Sequence, residues 1–247
     1  MEIRPGAGVF LASDVSAGAL HGEVEGWLSG VLLEGWSRGI ARADLGRLVE
    51  RCTTTEVRCA CVESNEDHMV AVSAELEESF SLGVRPVMVS PAPGAPVPRV
   101  ELEEADLVVT TVFHAAAVRA AAAEAGKPCV VLRVEPRFAA CVAQRLHASE
   151  TTGVIADPRY SARGSAFLDV TPHRGQVRFV LVDELGAGAP VDLHSDSTLI
   201  TRAARRRLGL PEYHLVPPPP GYISAESARE LFHAIVALGM AGVGKVS

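Results

Sequence analysis

Aromatic side chains are scarce in this 247-residue chain: Phe, Trp and Tyr make up 5% of it, which argues against a sugar site built on stacked tryptophans. Positive charge is short as well. Lys and Arg number 23 against 30 Asp and Glu, and a formal charge of −7 argues against the chain gripping a phosphate backbone unaided. No apolar run reaches the length of a membrane span, and the start has neither the basic segment nor the apolar core of a signal peptide. No membrane contact is therefore expected, and a cytoplasmic location is. The five cysteines, crowded between Cys52 and Cys141, have no Cys-Xaa-Xaa-Cys spacing and are odd in number, so they are expected to be reduced and mostly buried. Eight histidines include no pair at metal-ligand spacing on one helix face, so neither a metal nor a cofactor is expected. A Gly-Xaa-Ser-Xaa-Gly elbow, a nucleotide fingerprint and a paired-carboxylate motif are also missing.

What is present is a balance of 48% hydrophobic and 21% charged residues, which suits a folded domain with a real core. From Glu56 onward short apolar runs alternate with helical periodicity. Strands are expected at 57–62, 86–89, 107–109, 130–134, 154–156, 179–182 and 199–200, with helices at 66–81, 114–126, 136–147, 202–209 and 224–238. Near-continuous apolar strands separated by helices predict parallel sheets covered on both faces, an α/β class. The strands fall into two groups separated by the helix at 136–147. Lobe 1 is expected over 53–135 plus 215–247 and lobe 2 over 136–214, with the four prolines at 217–220 as a semi-rigid crossover strap. This two-lobed, parallel-sheet body resembles the periplasmic-binding-protein architecture.

Before it, residues 14–37 read as a helix capped by Ser13 or Asp14 and ended by Gly39, and 43–51 as a second, shorter one. Leu20, Val24, Trp27, Leu28, Val31 and Leu32 share one helical face, which predicts a homodimer through a helical segment over 14–52. At the start, Arg4-Pro5-Gly6-Ala7-Gly8-Val9-Phe10-Leu11-Ala12 reads as a tight turn feeding a short strand, while a hairpin strand beginning at Met1 is expected to lack a partner. The stretch resembles the wing that closes the winged-helix domain of GntR-family transcription regulators. Gly35-Trp36-Ser37-Arg38-Gly39-Ile40 followed by Asp44-Leu45 is similar to the helix junction that pairs subunits in the YtrA-like branch of that family. The resemblance implies that 1–13 are the remnant of a wing, that DNA is contacted only through a head not present in this chain, and that the rest senses an effector.

Each apolar strand ends in polar residues, where open α/β sheets bind their ligands. Glu63, Ser64, Asn65, Ser90, Thr110, Thr111, His114, Arg133 and Glu135 are the candidates on one side of a cleft, with Asp157, Arg159, Asp183 and Thr201 on the other. Hydroxyls, amides and helix starts near Ser64, Thr111 and Thr201 suit a carboxylate or phosphate, whereas the acidic residues suit an amine or hydroxyls. A small polar, amino-acid-like metabolite is the preferred ligand. The rival reading is an enzyme such as a two-lobed racemase using Cys61. All five cysteines precede residue 142, however, which leaves lobe 2 without the second thiol that such chemistry needs. A free-standing solute receptor is the third reading, disfavoured by the missing export signal. Residues 239–245 imitate a phosphate-binding loop, but Val246 replaces the required Ser or Thr. Arg202, Arg205, Arg206 and Arg207 read as a solvated basic helix face. His68 and His114 lie near strand ends, and His147 and His233 on helix surfaces.

Overall fold

The computed structural model describes residues 2–3, 9–10, 17–92, 95–138, 140, 151–161, 177–185, 191–193, 195, 197–211 and 221–241. The expected cap at 13–14, the second half of the helix expected at 136–147, His147, the proline strap at 217–220 and the glycine-rich end from 242 lie outside these residues. Two short strands, β1 (Glu2–Ile3) and β2 (Val9–Phe10), pair antiparallel in the register Glu2 with Phe10 and Ile3 with Val9. The strand at the start thus has a partner within the chain, a correction to the expectation that it lacks one.

Helices α1 (Ala17–Ser37) and α2 (Arg42–Thr54) follow. Gly39 ends α1: at φ 75° it occupies the left-handed region that a side chain disfavours, and the Ile40 N–H reaches back to the Gly35 carbonyl at 2.9 Å. Gly35 is the one buried residue among those of α1 whose burial is described, because Leu45 of α2 lies over it.

The body is α/β, with two sheets of parallel strands. The first runs in the order β4 (Gly83–Met88), β3 (Arg58–Glu63), β5 (Leu107–Thr111), β6 (Cys129–Leu132), all parallel. Side chains alternate across it as a pleat requires. Val57, Cys59, Cys61, Leu107, Val109, Val130 and Leu132 face α3 (Glu66–Phe80) and α7 (Ala225–Ala241). Ala60, Val62, Val87 and Val108 face α4 (Arg99–Glu103) and α5 (Ala115–Glu124). Helices therefore cover both faces, and α4, a single turn anchored by fully buried Leu102, is an element too short for periodicity to reveal. After β6, Val134 bridges Ile223 antiparallel and Glu135 N–H donates to the Tyr222 carbonyl, which brings α7 back onto this sheet.

The second sheet has the order β8 (Val177–Leu181), β7 (Thr151–Ile155), β9 (Thr198–Ile200), also parallel, with α6 (Arg202–Arg207) behind it. Among the described residues its packed cluster is Val154, Ile200 and Ala204, flanked by half-buried Val182, Leu185, Leu208 and Leu210, with Ile155, Val180 and Ala203 also buried. Gly153 sits at its centre because a Cβ there would lie 2.9 Å from the Phe179 ring. In both sheets the first strand in sequence lies inside and the order reverses beside it, between β3 and β5 and again between β7 and β9. Such reversals open a crevice at the carboxyl ends of the strands.

Candidate functional site

Glu63, the last residue of β3, sits at the first reversal with no exposed surface. Its Oε1 accepts the backbone N–H of Thr111, at the end of β5, at 3.1 Å. Its Oε2 lies 3.9 Å from His68 Nδ1 and 3.8 Å from His114 Nε2. Burial pushes this carboxyl up, but His68 and Thr111 alongside it and the charge of the two imidazoles outweigh that and hold it below its ordinary range. The next two residues turn the chain into α3. Asn65, extended at φ −140°, accepts the His68 N–H on Oδ1 at 2.9 Å, the preferred use of asparagine at a helix start. Thr110 spends its hydroxyl on the Val62 carbonyl at 2.9 Å. Beside the Glu63 carboxylate, four buried polar atoms have no hydrogen bond: Ser64 Oγ, Asn65 Nδ2, His68 Nδ1 and Thr111 Oγ1. Buried polar groups are nearly always paired, so four such atoms together at a strand-order reversal make this the candidate ligand position.

The second reversal is occupied from within. Asp67, in the first turn of α3 and 2% exposed, directs its carboxylate at the ends of β7 and β9. It accepts the backbone N–H of Ala156 at 3.1 Å and of Asp157 at 2.8 Å, and the Thr201 hydroxyl. Asp157 returns the contact by accepting the Glu66 N–H at 3.0 Å, while Arg159 clasps its other side at 2.6 Å. Ion pairs from Arg207 to Glu66 and from Arg202 to Glu78 continue the seam between α3 and α6. An anion-binding point at the strand ends of the second sheet is thereby filled by a side chain of the first.

Burial pushes Asp157 up, but the hydrogen bonds from the Arg159 side chain and from the Glu66 and Arg159 backbone bring it down to about 2. A carboxyl held below its ordinary 3.8 contributes stability above that pH and loses it as pH falls towards about 2. Arg159 is half exposed, so solvent screening limits the contribution to about 1–2 kcal/mol. Urea midpoints of the native protein and Asp157→Asn should therefore converge across that window and differ above it.

Rings collect at the same place. His68 stacks on Phe113 at 5.8 Å, meets the edge of Tyr160 at 5.2 Å and lies 6.2 Å from Tyr222, which in turn contacts Phe138 at 5.7 Å. The Phe113 ring is 48% exposed. No protein-family model, curated protein or solved structure matches this chain. The case for a function therefore rests on these side chains.

The structure brings Glu63, Ser64, Asn65, Thr110, Thr111 and His114 together at the first reversal, and Asp157, Arg159 and Thr201 at the second. Thr201 is committed twice, to Asp67 and, at 3.2 Å, to the Ala204 N–H that starts α6. Ser90 is exposed beyond β4 and accepts the Ala92 N–H. Arg133 is exposed and paired with Glu226 on α7. Glu135, half-buried, accepts the Arg137 N–H on its own turn. Asp183 follows β8 in a 3-10 turn with its side chain 83% exposed. Sequence reasoning missed Asp67, Tyr160 and Tyr222. Only Asp67 had a local signal, an acid in the first turn of a helix, and that pattern ordinarily needs no partner.

Cys61 is fully buried, and burial followed by the nearby Glu63 charge pushes its thiol up to about 12, so it is un-ionised at neutral pH. Among the described residues no group of three or more His, Cys, Asp and Glu is arranged to hold a metal ion, and no helix is long and apolar enough to cross a membrane.

Proposed function

We propose that this chain is the effector-binding and dimerisation portion of a ligand-responsive transcription regulator with a GntR-type, YtrA-like linker. A small polar metabolite is held between two lobes of periplasmic-binding-protein-like arrangement. The observation that carries the reading is the group of buried atoms without a hydrogen bond on Ser64, Asn65, His68 and Thr111, at a strand-order reversal that faces a second sheet. A ligand bonded to the first sheet and covered by the second would bias the angle between them. DNA contact is assigned to a winged-helix head outside these residues.

The homodimer is supported by α1. Val24, Trp27, Leu28 and Leu32 are all exposed in the single chain, Trp27 at 68%, while Val31 is half-buried. Leu20 lies on the same helix, with its side chain outside the described residues. Leu33 and Trp36, at 64% and 75%, widen the apolar surface beyond the face that helical spacing marks. The thiol-based racemase reading loses support from the burial of Cys61.

Two measurements test the proposal. Sedimentation of the native chain should give a dimer, and Trp27→Glu with Leu28→Glu a folded monomer; a native monomer would end the dimer assignment. Native mass spectrometry of the chain purified from its own cells should show a small-molecule adduct that Ser64→Ala with Thr111→Val removes. An adduct indifferent to that pair would move the site elsewhere.

A further inference from the structure

Within a single chain, α1 has too little to hold it. Five of its 21 residues are glycine, among the poorest helix formers, and nothing lies within 4 Å of where a Cβ would stand at Gly22, Gly26 or Gly30. Residues 22–34 are all exposed apart from half-buried Val31, and Leu45 of α2 covers α1 only near its far end, at Gly35. Helices in proteins draw most of their stability from packing an apolar face rather than from propensity. The face made by Val24, Trp27, Leu28 and Leu32 therefore needs a surface to lie on.

The body carries such a surface on α7. The inward side of that helix, Ser227, Leu231, Ile235 and Gly239, is buried. Beside it Phe232, Val236 and Met240, four residues apart, form a second apolar stripe that is 54%, 45% and 40% exposed. A Cβ on Gly239 would lie 3.4 Å from Cys52 Cα, so α2 runs next to this stripe, and exposed Val49 stands one turn before Cys52.

Size and charge select a second copy of this chain as the occupant, and its α1 as the part that docks. The four apolar side chains of α1 and the four on α2 and α7 expose on the order of 700 Å² per chain, close to the roughly 800 Å² that each partner gives to a standard interface. Helix α1 holds Glu23, Glu25 and Glu34 and no Lys or Arg, so two α1 helices laid together would set like charges side by side with no cation in either to answer them. The stripe offers cations instead. Arg229, three residues before Phe232, and Arg42, seven before Val49, are exposed and make no ion pair with a described residue. The acids of α7, Glu226 and Glu230, fall to one side of the stripe by helical spacing.

Resting on the homodimer reading, we infer that the dimer is reciprocal: α1 of each copy lies on the α2–α7 stripe of the other, with its glutamates towards Arg42 and Arg229. A two-fold axis makes the two seams identical. Because α7 covers the first sheet and returns to it through the Glu135 to Tyr222 bond, each copy's linker helix is seated on its partner's body.

Sedimentation of three proteins and one mixture tests this. The native chain should be a dimer, whereas Trp27→Glu with Leu28→Glu, and separately Val236→Glu with Met240→Glu, should each be folded by circular dichroism and monomeric. Mixed in equal amounts at high concentration, the two variants should dimerise again, since the intact α1 of one meets the intact stripe of the other. That dimer holds one seam of two and is weaker than the native one. Pairing of α1 with α1, or of stripe with stripe, is damaged in every combination and gives no recovery. A mixture that stays monomeric, or a native-like dimer from either variant, overturns the reciprocal docking and leaves the homodimer standing. A native chain that is itself monomeric fails the homodimer reading, and this inference with it. Should Val236→Glu with Met240→Glu not fold, Arg229→Glu at an exposed position replaces it and should raise the dissociation constant of the dimer at least about tenfold, an unchanged constant counting against the docking.

Discussion

Asp67→Ala is expected to remove about 3–5 kcal/mol of folding stability and to split one denaturation transition into two. The carboxylate is the shared acceptor for two buried backbone N–H groups and the Thr201 hydroxyl, and alanine leaves all three facing a small void. Each orphaned donor costs about 1–3 kcal/mol. The loss falls on the second sheet, whose buried apolar residues among those described, Val154, Ile155, Val180, Ile200, Ala203 and Ala204, are fewer than those of the first, so that sheet should melt before the first. Urea unfolding followed at Tyr160 and Trp27, or hydrogen exchange resolved by segment, distinguishes this from uniform weakening. Asp67→Asn keeps one acceptor oxygen and turns an amide donor towards the same N–H groups, so it should fall between alanine and native. A single transition of undiminished midpoint in Asp67→Ala would mean that the seam between α3 and the strand ends does not hold the sheets together.

Glu63 gives the second large effect, and its two simplest variants separate hydrogen bonding from charge. Glu63→Ala orphans the Thr111 N–H inside the first sheet and empties the volume of a fully buried side chain, an expected loss of about 3 kcal/mol. Glu63→Gln keeps an acceptor for that N–H and should cost about 1 kcal/mol near neutral pH. Its pH dependence should change as well. Because the carboxyl is held below its ordinary 4.5, its favourable contribution is complete above that value and is lost as pH falls through the lower folded-state value. The glutamine variant has no such term, so its stability should decline less on acidification than that of the native protein. Equal acid slopes in the two would show that the imidazoles of His68 and His114 do not favour the ionised carboxylate.

Both effects originate in residues whose roles the sequence shows unequally. Glu63 ends an apolar run at a strand terminus, a position where the α/β pattern alone points to a ligand crevice, and Ser64, Asn65 and Thr111 are legible for the same reason. Asp67 stands four residues further on, in the first turn of the expected helix, where an acid is ordinary and needs no distant partner. Its partners are 89 and 90 residues away at Ala156 and Asp157 and 134 away at Thr201. Asp157 and Thr201 read equally well as cleft residues, because the pattern that places them at strand ends is silent on whether their hydrogen bonds are already taken. The aromatic residues show the same gap: a global content of 5% conveys nothing about Phe113, Tyr160 and Tyr222 meeting around His68.

The sequence by itself determined the class and the order of elements. Apolar runs of strand length alternating with helical periodicity require parallel strands under helices, and Asn65, Thr201 and Gly39 fix local starts and stops through bonds to their own neighbours. These are short-range consequences of burial and capping, so they can be read where they are written. Tertiary structure alone decided which polar groups at the strand ends were spent and which were left. Each buried donor takes the best acceptor within reach, and reach is set by how two sheets and the helix between them pack. That competition gave the second reversal to Asp67 and left Ser64 Oγ, Asn65 Nδ2, His68 Nδ1 and Thr111 Oγ1 without a hydrogen bond at the first.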